Sequence, residues 1–236
     1  MAQPRVLADW VIPGEGVLRD VLRIAAANVL LVLCAQIAIP LPWTPVPVTG
    51  QTFGVMLIAV LLGSRRAALA VVLYLLEGAA GLPVFQPYGA PGIARFMGPT
   101  AGYLWAYPFA AFLTGWLVER FVARVEPGRD ARTLRLVAAV VPGEVLILAS
   151  GFLWYTLLTG MSWSAALAGS VLPFLPFDVL KIALVVAAVR GVESEGMLCA
   201  PAALELPEKA DGLVILDAEA ELGAPVAQAL GLDDTL

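Results

Sequence analysis

Histidine is absent from the 236-residue chain, cysteine occurs twice, and only 14% of residues are charged. Without histidine there is no imidazole general base, no serine–histidine triad and no His-ligated zinc or haem. Cys34 and Cys199 stand far apart in sequence, so they suggest neither a thiolate metal cluster nor a disulfide framework. The cations form no basic stripe, which excludes the electrostatic footprint of nucleic-acid binding. No GxxxxGK[ST] loop is present, so the chain has no phosphate cradle for ATP of its own.

What is there is apolar. Hydrophobic residues make up 60% of the chain, and its mean hydropathy is +0.87. A soluble domain is about half apolar and about a quarter charged, so the composition predicts an all-α integral membrane protein. The formal net charge of −5 is an average of two unlike parts. Residues 1–190 carry 13 Lys/Arg against 9 Asp/Glu, whereas residues 191–236 carry 1 against 10. The expected organisation is a cytoplasmic N-terminal segment over 1–17, a membrane domain over 18–190 and an acidic cytoplasmic tail over 191–236. The tail mixes acids with leucines, which suits a short strand or helix as well as a solvated chain.

A spanning helix needs about 20 apolar residues. Six helical segments are predicted, over 18–39, 51–62, 66–80, 99–121, 132–158 and 175–190, the last after an apolar approach from Trp163. The first has no polar n-region with a cleavage site, so it reads as a retained span. The second and third are short for full spans and need cover from neighbouring protein. Residues 39–50 hold four prolines and no charge, and residues 78–102 hold six glycines and four prolines. Loops of that composition are expected as ordered caps on the membrane domain. Short cytoplasmic loops are rich in Lys/Arg. With six spans, Arg5, Arg19, Arg23, Arg65, Arg66, Arg120, Arg124, Arg129, Arg132, Arg135, Arg190 and Lys209 all fall on one side. Both termini are then cytoplasmic. Arg95 and Lys181 are the exceptions.

Ionisable residues inside a membrane domain are costly and usually face a cavity. The candidates are Glu77, Glu144, Asp178 and Lys181. Asp178 and Lys181 share one helix face at i, i+3, just after Pro173 and Pro176. Asp178 thus lies in a first turn, where the helix dipole favours a carboxylate. Side by side, one acceptor and one ammonium suit a ligand with N–H and C=O groups on one edge, such as a urea or amide. A neutralising ion pair that merely holds the bundle is the alternative. Glu77 reads as an interfacial carboxylate. Glu144, after Pro142–Gly143, reads as either a hydrogen-bonded buried acid or a cavity contact. Arg95 is either a loop cation or the partner of an anionic ligand. Trp43, Trp105, Trp163 and Trp116 suit an aromatic belt, and Trp154 and Tyr155 suit either a belt or a pocket wall.

The stretches PVPVTGQTFG, GPTAGY and FLPFDVLK occur in that order, and together they resemble the BioY family, over residues 25–190. That family supplies the biotin-specific substrate-binding (S) components of energy-coupling factor (ECF) transporters. The resemblance implies a six-helix S-component fold with ordered outer loops in the cell membrane, and biotin as ligand with no cofactor. Its partners would be a transmembrane coupling protein and two ATPase subunits. It further implies that Asp178 and Lys181 hold the ureido ring. Residues 86–98 are expected to close over the pocket, with Trp154, Tyr155, Tyr88 and Tyr103 as candidate wall residues. Some departures stand out. Ala101 replaces a glycine, Ala90 stands where some members carry a polar residue, and Leu104 stands where some carry an arginine. Arg95 is therefore expected to meet the ligand's carboxylate. Small residues on the first helix (Ala25, Ala26, Ala27, Ala35, Ala38) suit either docking or internal packing. Two other readings remain: an S component for thiamine or riboflavin, and a membrane enzyme using Asp178, Glu144 and Lys181.

Overall fold

The computed structural model describes residues 16–122 and 129–194. Expectations for Arg5, Arg124, Cys199, Lys209 and the acidic tail beyond residue 194 lie outside them. Helix α1 runs Val17–Gln36, and strands β1 (Ala38–Leu41) and β2 (Thr44–Thr49) follow. Helices α2 (Gln51–Leu62) and α3 (Ser64–Ala79) come next, then a 3-10 segment at Gly92–Met97 and helix α4 (Ala101–Leu117), which runs into a π segment at Val118–Val122. Helices α5 (Arg129–Thr159), α6 (Trp163–Ser170) and α7 (Leu175–Ser194) complete the described residues.

Each of the six predicted segments is a helix, with two corrections around them. The first helix ends at Gln36 rather than residue 39. The proline-rich segment after it is an antiparallel hairpin, pairing Ala38 with Thr49 and Leu41 with Thr44. The register is irregular between Ile39 and Leu41, where Pro40 has no N–H to donate. The apolar approach to the last helix is a separate seventh helix, α6. Ser162 caps it, its hydroxyl accepting from the Ala165 amide.

Among the described residues one helix is long and apolar enough to cross a membrane, at Ala131–Thr159. The pair Trp163–Ser170 and Leu175–Gly191, bent by 42°, passes together. The other helices are too short or too charged to pass singly. Helix α2 is buried nearly all round, the pattern of a central helix. Gly63, at φ +78°, turns the chain straight from α2 into α3. Glu119 receives the first amide of α3, from Ser64, at 2.6 Å.

Helices α4 and α5 meet along a glycine seam. A methyl group on Gly102 would overlap Trp154, one on Gly143 the Thr114 hydroxyl, and one on Gly151 the Tyr103 ring. Small residues let the two backbones approach this closely. On α1, Ala27 and Ala35 turn into the core, whereas Ala25 and Ala26 are exposed. Outward positions such as Leu33, Phe109, Leu157 and Trp163 are exposed large apolar side chains. Near the starts of α1 and α3, Asp20 pairs with Arg23 at 2.8 Å and with Arg66 at 2.9 Å.

Candidate functional site

The hairpin, the chain between α3 and α4, and the α6–α7 bend come together at one end of the bundle. The Thr44 hydroxyl donates to the Gly169 carbonyl at 2.7 Å, tying the hairpin to α6. The Gln36 amide reaches the carbonyls of Pro83, Val84 and Phe85 at 3.3–3.4 Å, tying the strap over 80–100 to α1. Trp154 on α5 donates to the Gly98 carbonyl at 2.9 Å, tying the strap's far end.

Beneath these ties lies a cavity with about 440 Å³ of empty space, part of it continuous with solvent. Several elements contribute to its wall. The hairpin gives Val46, Pro47 and Thr49, and α2 gives Gln51 and Thr52. The strap gives Gln86 and Thr100. Helix α4 supplies Tyr103, Leu104 and Tyr107, α5 supplies Glu144 and Leu148, and the α7 end supplies Phe174, Asp178 and Lys181.

Asp178 sits in the first turn of α7 as the prolines predict, and its amide bonds the Phe174 carbonyl at 2.9 Å. Its side chain is 6% exposed. Lys181 Nζ donates to Asp178 Oδ1 at 2.9 Å and to Thr52 Oγ1 at 2.9 Å. Asp178 Oδ2 is buried without a hydrogen-bond partner, and so is Glu144 Oε1. Unpaired buried acceptors are uncommon and call for a donor. The walls are apolar and aromatic. Gly151 lets the Tyr103 ring lie against α5, and its hydroxyl donates to the Ser170 carbonyl. Phe174 packs edge-on to it at 6.3 Å. The arrangement can hold a flat polar edge at the acid–ammonium end and a hydrocarbon body between rings.

Asp178, Lys181 and Tyr103 therefore share one cavity. Trp154, Tyr155 and Tyr88 are not among its lining residues. Trp154 is committed to Gly98 and packs at a tilt against Trp105, with ring centroids 4.5 Å apart. Tyr155 is buried against Gly169, and Tyr88 is 45% exposed. Arg95 also lies off the wall. It is 6% exposed and donates to the carbonyls of Tyr88 and Gln86, holding the strap in shape. Gly89, at φ +101°, leaves room for that guanidinium, which a side chain at that position would strike. Burial pulls the Arg95 guanidinium down from its ordinary value, and Tyr74 opposes the pull. Its Nε is buried without a partner. Glu77 is half-buried on α3, away from the cavity wall. Gln51, Thr52, Tyr107 and Gln86 were not singled out from the sequence. Only the PVPVTGQTFG motif pointed to the first two.

Residues 5–196 match the BioY family. The biotin transporter BioY of Rhizobium etli is 40% identical over 171 residues, 72% of this chain and 89% of that protein. Biotin transporter BioY2 of Lactococcus lactis is 35% identical over 162 residues, 69% of this chain and 83% of that protein. The fold is similar to the crystal structure of the S-component for biotin from an ECF-type ABC transporter. That match has a TM-score of 0.67 at 24% identity and covers 77% of this chain and 95% of the other.

Proposed function

The chain belongs to the BioY family, and from that premise we propose that its cavity captures biotin for uptake across the membrane. Biotin uptake as a substrate-binding S component is the function, and the chain is a transporter component rather than an enzyme. Asp178 accepts a ureido N–H and Lys181 donates to the ureido carbonyl. Tyr103 and Phe174 flank the bicyclic ring. Arg95 stays the candidate cation for the valerate carboxylate, and because its guanidinium braces the strap off the cavity wall, the strap would have to shift for the two to meet.

One observation carries the reading. A buried carboxylate oxygen, Asp178 Oδ2, lacks a donor beside an ammonium already fixed by Thr52. A cyclic urea supplies that donor and needs that ammonium.

Six membrane crossings accommodate the helices, with α6 and α7 forming one bent crossing. Exposed apolar side chains on the outward faces and the Arg19, Arg23, Arg66 and Arg120 positions support this topology, with both termini cytoplasmic. A segment over 1–17, the membrane domain over 18–190 and a tail over 191–236 are the proposed divisions. Energy comes from partners, a transmembrane coupling protein and two ATPase subunits, because this chain has no phosphate-binding loop.

Native mass spectrometry of protein purified without added ligand tests the substrate. A bound mass equal to biotin is expected. A flavin or thiamine mass would overturn the substrate and leave the transporter class standing.

A further inference from the structure

We propose that Glu144 is the acceptor for the second ureido N–H of biotin, and so a specificity-determining residue of the site. The inference rests on the biotin reading above and adds a contact to it.

The reasoning starts from the ligand's edge. A cyclic urea presents N–H, C=O and N–H in a row, two donors flanking one acceptor. Asp178 and Lys181, neighbours on one face of α7, match one donor and the carbonyl. The other N–H also becomes buried, and a buried donor without a partner costs binding free energy. The site must supply a second acceptor next to the Asp178–Lys181 pair.

Glu144 meets each requirement. It comes from a different helix and lines the same cavity one turn before Leu148, which lines it too. It is 4% exposed, and its Oε1 has no hydrogen-bond partner. Thr52, Asp178 and Lys181 line the same cavity, and the Glu144 carboxyl group stands beside Asp178 and Thr52. Gly143 brings it there, because a side chain at that position would collide with Thr114 and hold α5 away from α4. A carboxylate and a carboxylic acid both present an acceptor oxygen, so the contact survives either protonation state.

The test uses the full chain in detergent, with biotin and the two biotins singly methylated on one ureido nitrogen. Each methylated ligand should bind wild-type protein at least ~10-fold more weakly than biotin, since each loses a read hydrogen bond. Glu144→Ala should weaken biotin by about 10-fold and abolish the penalty for one of the two methylated ligands only. Glu144→Gln keeps a carbonyl acceptor and should stay within about threefold of wild type. Equal losses for biotin and both methylated ligands in Glu144→Ala would mark a structural role and overturn the proposal. So would wild-type protein that tolerates either methylation, a measurement that needs no variant to fold. Wild-type protein that binds no biotin overturns the biotin reading itself. Biotin binding that ignores one methyl group leaves the biotin reading standing and overturns the two-acceptor arrangement.

Discussion

Replacing Asp178 with asparagine separates what the ion pair does for the fold from what it does for the ligand. The two side chains are 6% and 14% exposed, and Lys181 has one other partner, Thr52. Removing one charge from a desolvated pair leaves the other uncompensated, which costs about 3–5 kcal/mol. Replacing both by apolar residues of similar volume is often neutral, or stabilising by about 1–4 kcal/mol. Asp178→Asn should therefore lower thermal stability in detergent, and Asp178→Leu with Lys181→Met should restore it. Binding should behave differently. A charge-assisted hydrogen bond contributes about 1.5–3 kcal/mol, so Asp178→Asn should weaken biotin by about tenfold to a hundredfold. The double variant should regain stability without regaining affinity. Radiolabelled-biotin binding and thermal unfolding, run on the same preparations, read the two quantities separately. A double variant with wild-type affinity would refute the ureido assignment. An Asp178→Asn protein as stable as wild type would refute the claim that the pair is desolvated.

Arg95→Ala should weaken biotin more than biotin amide in paired binding assays. Equal weakening would assign Arg95 to shaping the strap alone. Gly151→Val drives a side chain into the Tyr103 ring, an overpacking that costs about 1–3 kcal/mol. Thermal unfolding should register that loss, and biotin binding should fall with it because Tyr103 lines the cavity. Deleting residues 195–236 should leave biotin affinity unchanged in the radiolabel assay. Lost affinity would show that the tail is not separable from the membrane domain.

The helices were legible because apolar runs and Pro/Gly punctuation mark where backbone groups must be satisfied internally. The Asp178–Lys181 pair was legible for a similar reason. Two opposite charges in an apolar helix, three residues apart and just after prolines, have few physical explanations. The hairpin was hidden because Pro40, Pro45 and Pro47 argue against a strand. A two-stranded ribbon has two open edges, where a missing N–H does no harm. Alternation of Val46 and Val48 was its trace in the sequence. Helix α6 was announced by Ser162 before an apolar run, a cap signal submerged in the apolar context around it. Arg95 and Trp154 show the limit of reading charge and aromaticity one residue at a time. Both satisfy loop carbonyls, and that need appears only once the loop's path is known. Gln51 and Tyr107 are ordinary residues in sequence, and only the convergence of α2 and α4 brings them to one cavity.

The strap over 80–100 is moored by Gln36 at one end and Trp154 at the other, with Arg95 as an internal brace. The glycine seam beneath it leaves no room for an added side chain. Were a captured molecule to leave past the strap, these hydrogen bonds would have to break first, and their strength would set its residence time. Most differences between related complexes lie in dissociation rather than association. Changes at Gln36 or Trp154 would then alter how long a ligand stays, and changes at the proposed polar floor would alter which ligand stays.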